Sequence, residues 1–280
     1  MQKFYHSPLH PALLIIGFYY ASKNVLSHLK IWLTQTSKCY KIRLTEYLQN
    51  INEVFIKIMD RKIIKEIISK CDHTNLSVTA SENDIKKLCD EASLFGVASV
   101  CIPPCYVKAA KRYIKSDLSI CTVIGFPNGY SSTAAKVFET SDAIENGADE
   151  IDTVINIGYA ASGKISDCQK EILAIRKACE GKILKVIIEC CYLNKAEKIS
   201  LCHMLNSTGA DYIKTSTGFG TSGATLEDVK LFSEHCLLKI KAAGGIRTFE
   251  QAEAFIKAGA ERIGSSALIR KAVEIYDRQL

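Results

Sequence analysis

The chain contains little of what marks non-globular proteins. It has five prolines, sixteen glycines and one tryptophan in 280 residues. Collagen-like and low-complexity disordered chains need far more proline and glycine, so these classes are excluded. Hydrophobic residues make up 48% of the sequence and charged residues 24%, which predicts a substantial core. The length is compatible with one large globular domain or two small ones.

The main part of the chain also lacks an excess of charge. The net charge of +6 arises from residues 1–62, since basic and acidic residues are equal in number from Ile63 onward. Proteins that bind duplex nucleic acid neutralise its phosphates with a surplus of lysine and arginine. We therefore expect no nucleic-acid partner.

Metal-site spacings of cysteine are missing. The sequence has twelve cysteines, but none forms a Cys-x-x-Cys pair or a cysteine–histidine cluster at zinc spacing. Cys71, Cys101, Cys121 and Cys179 each lie singly in an apolar run. This pattern indicates buried, reduced thiols in a reducing compartment, and no metal is expected.

Long apolar runs are absent as well. The stretch Ala12–Ala21 is apolar, but a membrane-spanning helix needs about 20 such residues. No other segment approaches that length, so we expect no integral membrane protein and no membrane partner.

The first 60 residues form a predicted N-terminal extension before a domain at 61–280. Ala12–Ala21 has the length of a signal-peptide core, whereas Ser22–Lys41 is basic, free of acids and rich in serine and threonine, which is typical of organelle transit segments. An extension packed against the body and a misassigned start codon are the alternatives. An amphipathic helix is predicted between Arg43 and Ile58. The expected location is cytoplasmic, with organelle targeting through residues 1–41 as the alternative.

A repeated signature predicts the fold of the domain. Gly96, Gly147, Gly209 and Gly259 each end an amphipathic run and precede a short apolar strand, as expected where a helix stops and a buried parallel strand begins. The predicted strands lie near residues 69–72, 99–102, 119–124, 150–155, 184–189, 212–215, 238–241 and 262–264. Eight strands alternating with helices predict an α/β fold, a (β/α)8 TIM barrel with an N-terminal helical extension.

A doubly wound open sheet is the structural alternative. That fold would place a Gly-x-Gly-x-x-Gly turn after the first strand. The residues Asp72–Leu76 contain no such turn, which favours the barrel.

Two lysines end adjacent predicted strands at the barrel face where catalysis is expected. Lys214 ends strand 6 and Lys241 ends strand 7. Only a neutral amine attacks a carbonyl, and a nearby ammonium together with burial lowers the pKa of a lysine. The pair therefore predicts a Schiff-base enzyme, although a salt bridge is the more common role of a single lysine at such a position.

Carboxylates on strand 4 supply the candidate for proton transfer. Alternation places Glu150 and Asp152 on one face, and Asp152 is the preferred candidate. Lys185 and Glu189 share a face of strand 5 and are predicted to pair with each other or with Asp152. Cys101 at the end of strand 2 is either a group at the mouth of the barrel or a small core residue.

Glycine turns after strands 6, 7 and 8 predict a phosphate site. Backbone amides of such turns and of a following helix are the usual phosphate ligands in barrels of this type. A phosphorylated carbonyl compound is the expected substrate class. Arg247 is either a phosphate ligand or a residue at a helix start. The candidate ligands are Gly218, Gly244, Gly245, Gly264, Ser265 and Ser266.

Seven motifs in order over Ile63–Ala272 resemble those of the deoxyribose-phosphate aldolases, a family of class I aldolases. The motifs begin at Asp72 (DHTNL), Val100 (VCIP), Gly125 (GFPNG), Gly147 (GADEID), Lys185 (KVIIE), Ile213 (IKTSTG) and Ala243 (AGGIRT). The resemblance implies cleavage of 2-deoxy-D-ribose 5-phosphate into D-glyceraldehyde 3-phosphate and acetaldehyde, without metal or organic cofactor. It also implies a homodimer or homotetramer.

The resemblance implies specific roles for four residues. Lys214 matches the lysine that forms the imine, Lys241 the second lysine that perturbs it, and Asp152 the aspartate of the proton relay. Lys185 matches a further lysine near that relay, and the glycine turns match the phosphate-binding backbone.

The chain departs from the family pattern in two places. The serine pair after strand 8 stands one position early, which leaves Ala267 where a second phosphate hydroxyl is expected. The sequence printed here ends in Arg278–Leu280, where some members have a terminal tyrosine that reaches the site.

Two alternative functions remain at this point. A transaldolase-like enzyme would keep Lys214 without needing Lys241, and a catalytically silent barrel would have lost a catalytic lysine. A metal-dependent aldolase is disfavoured, because His203 and His235 lie on predicted helices.

Overall fold

The computed structural model describes residues 61–277, with side chains through residue 274. The predictions for the N-terminal extension, its targeting segment and its amphipathic helix lie outside the described residues. So do those for residues 278–280.

Eight parallel strands close into a barrel in sequence order, with β8 pairing to β1. The predicted TIM barrel is therefore confirmed, and the open-sheet alternative is wrong. The strands are β1 Cys71–Thr74, β2 Ser99–Ile102, β3 Ser119–Ile124, β4 Glu150–Val154, β5 Ile183–Ile187, β6 Tyr212–Lys214, β7 Lys239–Ala243 and β8 Arg262–Ser265.

Helices follow the strands and cover the outside of the barrel. None of the helices in the described residues is long and apolar enough to cross a membrane. The helices are α1 at 61–69, α2 Glu82–Phe95, α3 Val107–Tyr113, α4 Thr133–Glu145, α5 Ile157–Ala161, α6 Ile165–Ala178, α7 Lys195–Leu205, α8 Leu226–His235, α9 Phe249–Lys257 and α10 Leu268–Asp277.

The largest difference from the prediction is in the first strand. β1 occupies Cys71–Thr74, two residues later than predicted, because the preceding helix continues through residue 69. The short helix α5 was not predicted. It begins after Asn156, whose side chain caps the helix by accepting a hydrogen bond from the Tyr159 amide. A helix of five residues is too short to show helical periodicity in the sequence.

Local signals explain where the outer helices begin and end. Ser81 and Asp84 form a capping box at the start of α2, and Gly96 ends that helix with a φ of 65°. A left-handed residue at this position costs little only when it is glycine. These signals let each helix stop where the chain returns to the barrel.

The apolar core lies between the barrel and the helices. Outward-facing strand residues such as Val100, Ile151 and Ile213 are fully buried there. Inside the barrel the apolar cluster is small and consists of Cys101, Cys121 and Val123, with Leu76 and Phe126 packed against it. The interior positions that branched apolar residues fill in most TIM barrels are therefore available here for charged groups.

A buried ion pair fastens the outer helices to the exit of β4. The Lys136 Nζ lies 2.9 Å from Glu171 Oε1 and donates to the Val154 carbonyl at 2.7 Å. Glu171 also accepts from the Asn156 amide at 3.0 Å. Burial lowers the pKa of Lys136 despite the charge of Glu171, so the pair contributes little net stability although each member requires the other.

We expect Lys136→Met to destabilise the protein by about 3–5 kcal/mol, because it leaves the Glu171 charge buried without a partner. The double variant Lys136→Met/Glu171→Gln should lose less, since both charges are gone and the amide oxygen still accepts from Asn156. Urea unfolding measures both changes. The control is Lys86→Met, which breaks an exposed pair with Glu82. A double variant as unstable as the single one would contradict this account.

Candidate active site

Strand register places the two predicted lysines side by side. Lys214 on β6 is the direct partner of Lys241 on β7, and Lys185 on β5 is the partner of Asp152 on β4. Side chains of adjacent strands at matched register project to the same side of the sheet. All four are buried inside the barrel.

The Asp152 carboxylate lies between the three lysines. Its Oδ2 is 2.6 Å from the Lys214 Nζ and 2.7 Å from the Lys241 Nζ. Its Oδ1 is 2.9 Å from the Lys185 Nζ. One carboxylate thus contacts every lysine that the sequence predicted for the site.

A second group of charges lies deeper in the barrel. Asp72 on β1 contacts the Lys241 ammonium through Oδ2 and Arg262 through Oδ1, the latter at 3.0 Å. Arg262 on β8 also bonds Glu150 Oε1 at 3.0 Å, and Glu150 Oε2 lies 2.5 Å from the Lys185 Nζ. The seven charged groups form one continuous network.

The pKa values of the network show which charges are fixed. Burial opposes ionisation of Asp152, but the charges of Lys185, Lys214 and Lys241 outweigh it and hold the pKa of this carboxyl well below its usual range. Burial also opposes the charge on Lys241, yet Asp152 and Asp72 raise its pKa above that of a free lysine. The same balance raises the pKa of Lys185. The carboxylate and the two ammonium groups therefore stabilise one another in their charged forms.

The network contains one more basic group than acidic groups. The cations are Lys185, Lys214, Lys241 and Arg262, and the anions are Asp72, Glu150 and Asp152. Asp152, the carboxylate partner of Lys214, is shared with the two other lysines.

Two thiols border the Asp152 carboxylate. Cys121 on β3 donates to Asp152 Oδ1 at 3.2 Å and lies 3.4 Å from the Lys185 Nζ. Cys101, its register partner on β2, is buried beside it. The ligand atoms of Cys101, Cys121 and Asp152 lie within 4.8 Å of one another, but Asp152 is already bound by three ammonium groups, so the arrangement favours ion pairing over metal binding.

The glycine turns after β6 and β7 contact each other above the lysines. A Cβ built on Gly244 would lie 3.0 Å from the Gly223 Cα and 3.4 Å from the Gly218 Cα. The Ala224 amide donates to the Gly244 carbonyl at 3.1 Å. Gly218 and Gly245 are exposed, so the predicted ligands in these two turns form one accessible backbone surface.

The three predicted phosphate ligands on and after β8 differ in their contacts and in their exposure. Gly264 is within the strand, where a Cβ would lie 3.3 Å from the Lys241 Cε, so its lack of a side chain makes room for that lysine. The Ser265 hydroxyl donates to the Ile246 carbonyl at 2.8 Å and accepts from the Ala267 amide at 3.1 Å. Ser266 is exposed.

Two aromatic rings cover the mouth of the barrel from one side. Phe126, which follows β3, meets Phe219 edge-to-face with 5.3 Å between ring centroids. Phe126 also packs on Cys101 and Cys121. These rings form an apolar wall beside the site.

Sequence reasoning missed two groups of the network, Asp72 and Arg262, and the adjacent thiol of Cys121. Asp72 lay within the predicted first strand, but its partners Lys241 and Arg262 are distant in sequence, so no local pattern indicated its role. The predicted pairing of Lys185 with Asp152 is found, whereas Glu189 bonds the Thr217 amide and hydroxyl instead. Arg247 is exposed beside the start of α9.

A closed parallel barrel whose interior holds three buried lysines around one carboxylate has the architecture and the charged interior of a TIM-barrel enzyme. Residues 56–270 match the model of the DeoC/LacD family of aldolases. The chain belongs to this family of aldolases, which are lyases, and the resemblance predicted from its motifs is confirmed.

Individual relatives agree with the family match. The chain is 56% identical over 209 residues to the deoxyribose-phosphate aldolase of Clostridioides difficile, covering 74% of this chain and 95% of that protein. It is 52% identical over 209 residues to the enzyme of the same name from Streptococcus pyogenes, covering 74% and 94%.

Solved structures show the same architecture. The tetrameric deoxyribose phosphate aldolase of Aeropyrum pernix is 30% identical, with a TM-score of 0.69 and coverage of 78% of this chain and 93% of that chain. The aldolase QR15 is 37% identical, with a TM-score of 0.72 and coverage of 76% and 97%.

We expect Asp152→Asn to reduce the slope with which the free energy of unfolding falls as the pH is lowered. The folded pKa of Asp152 lies well below the usual range of an aspartate, so its charge stabilises the fold above about pH 4 and this contribution is lost as the pH falls through the folded pKa. Each such group contributes a slope of up to about 1.4 kcal/mol per pH unit. Urea unfolding between pH 5 and 2 measures it, with the exposed Asp167→Asn as control. Equal slopes in wild type and Asp152→Asn would contradict this assignment.

Proposed function

We propose that the protein cleaves 2-deoxy-D-ribose 5-phosphate into D-glyceraldehyde 3-phosphate and acetaldehyde through an imine on Lys214. The observation that carries the proposal is the Lys214 Nζ, 2.6 Å from Asp152 Oδ2 and beside the Lys241 ammonium. The names of the relatives from Clostridioides difficile and Streptococcus pyogenes support this substrate.

The first step needs a neutral amine on Lys214. The Asp152 carboxylate, 2.6 Å from the Lys214 Nζ, is placed to accept the proton that the ammonium must lose. The neutral amine attacks the aldehyde carbon C1 of the open-chain sugar. The neutral carbinolamine then takes up the proton that Lys214 released and loses water, which gives a protonated imine. This imine carries the same single charge as the original ammonium and therefore fits the Asp152 carboxylate equally well.

Asp152 is suited to carry protons between these species. With Lys214 neutral, one of the three cations that lower the Asp152 pKa is absent, so the carboxylate becomes a better base when a proton must move. Its Oδ2 contacts both Lys214 and Lys241, which gives a proton path between them. Lys241, held as a cation by Asp72, keeps the carboxylate in place.

Carbon–carbon cleavage uses the imine as an electron sink. A base removes the proton of the C3 hydroxyl, the C2–C3 bond breaks, and its electron pair moves into the imine to form an enamine on Lys214. The C3–C5 fragment leaves as D-glyceraldehyde 3-phosphate. Protonation of the enamine at C2 and hydrolysis of the imine release acetaldehyde and restore the amine.

The substrate phosphate is assigned to the exposed backbone around Gly218, Gly244 and Gly245. Amides of glycine turns approach an anion closely because no side chain intervenes. Ser266 is exposed and available to add a hydroxyl. Ser265 is assigned a supporting role, since its hydroxyl ties β8 to the Ile246 carbonyl.

Separate observations support a proposed assembly and location. We propose a homodimer or homotetramer, supported by the tetrameric relative from Aeropyrum pernix. A cytoplasmic location is supported by the eleven described cysteines, which are all free thiols, as is usual in a reducing compartment.

Acetaldehyde with cyanoborohydride should place an ethyl group on Lys214. Peptide mass spectrometry locates the adduct. Lys214→Ala should abolish it together with turnover, and Lys241→Met should slow both by about a hundredfold or more, because the carboxylate then loses its fixed partner. Lys108→Met, at an exposed helical position, is the matched control.

The substrate is tested separately by coupled detection of D-glyceraldehyde 3-phosphate released from 2-deoxy-D-ribose 5-phosphate. Folded protein without an adduct on Lys214 would overturn the imine mechanism. An adduct without cleavage of this sugar would instead favour a transaldolase-like activity on another sugar phosphate.

A further inference from the structure

Glu189 lies in an unusual backbone conformation directly after β5. Its φ of 49° is the one positive value at a non-glycine residue in the described part of the chain, and its side chain is 1% exposed. A left-handed non-glycine residue and a buried carboxylate each cost free energy. Strain of this kind persists where the surrounding structure requires it, most often at functional sites.

The Glu189 carboxylate holds Thr217, three residues after Lys214. It accepts from the Thr217 amide at 3.1 Å and from the Thr217 hydroxyl. The same hydroxyl accepts from the Phe219 amide at 3.0 Å. One carboxylate thus fixes the start of the turn Thr217–Gly220, and its described hydrogen-bond partners are an amide, a hydroxyl and a thiol rather than a cation.

The turn Thr217–Gly220 packs tightly on this carboxylate. A Cβ on Gly220 would lie 3.2 Å from the Glu189 Cδ and 2.7 Å from the Cys191 Sγ, so the backbone of the turn lies directly against the segment that follows β5. Gly218 in the same turn faces Gly244, and Phe219 meets Phe126. Both the glycine surface and the aromatic wall therefore depend on where this turn lies.

We propose that Glu189 is a positioning residue that sets the affinity for the phosphorylated end of the substrate by holding the turn Thr217–Gly220 in place. This inference rests on the proposed function, because it assigns the phosphate to the glycine surface. Glu189 acts through Thr217 and contacts no reacting atom. It orients the backbone before substrate binds, so that binding does not have to order the turn.

The test compares KM for 2-deoxy-D-ribose 5-phosphate with the rate of acetaldehyde labelling at Lys214, which involves no phosphate. Glu189→Ala should raise KM by about tenfold to a hundredfold, the loss expected for hydrogen bonds to a charged group. The rate of labelling should fall by less than about threefold, because the Lys214 side chain is held by Asp152 and not by Glu189. Glu180→Gln, at an exposed position, is the control.

A second variant separates positioning from folding. Glu189→Gly relieves the left-handed strain, so its thermal unfolding temperature should not fall below that of Glu189→Ala. If Glu189 positions the turn, Glu189→Gly nevertheless raises KM. Thr217→Val should raise KM to the same extent. Thr217→Ser should keep the wild-type KM, because serine retains the hydroxyl that donates to Glu189.

Three outcomes overturn the inference. The first is an unchanged KM in folded Glu189→Ala and Glu189→Gly. The second is a rise in KM accompanied by an equal loss of labelling at Lys214. The third is full activity in Thr217→Val. Failure of the proposed function is recognised independently, because wild-type protein would then show no adduct on Lys214.

Discussion

The structure depends on a single carboxylate that three ammonium groups share. Asp152 contacts Lys185, Lys214 and Lys241 in the interior of the barrel, where an unpaired charge of either sign would be very costly. The lysines can therefore be buried only together with Asp152. Because Asp72 and Arg262 in turn hold Lys241 and the deeper carboxylates, the whole interior acts as one electrostatic unit with a single surplus cation.

Such an interior requires that folding be driven from elsewhere. The apolar contacts lie between the outer face of the strands and the helices, as for Val100, Ile151 and Ile213. Burial of apolar area is the main favourable contribution to folding, and here it comes almost wholly from that outer layer. The inside of the barrel is thereby free for chemistry, which explains why its apolar cluster is reduced to two cysteines and a valine near the mouth.

The sequence predicted those features that depend on the periodicity of apolar residues and on the order of neighbouring strands. Four glycine-to-strand transitions and eight alternating apolar runs predicted the barrel, and lysines ending consecutive strands predicted that Lys214 and Lys241 meet. What could not be predicted depends on contacts between distant segments. Arg262 reaches Asp72 across 190 positions, so neither residue's local sequence indicated this ion pair. Glu189 was assigned to the lysine cluster by alternation, but its left-handed backbone turns its carboxylate to Thr217.

The exit of β6 shows how the two buried carboxylates divide their roles. The strand is only three residues long, Tyr212–Lys214, so regular sheet bonding ends at the candidate nucleophile. Beyond it, the Thr215 amide still donates to the Lys241 carbonyl at 3.1 Å, and Thr217 is then held by Glu189. Asp152 fixes the Lys214 side chain while Glu189 fixes the backbone that follows. A short strand leaves the chain free to turn across the mouth of the barrel, and the second carboxylate replaces the rigidity that a longer strand would have provided.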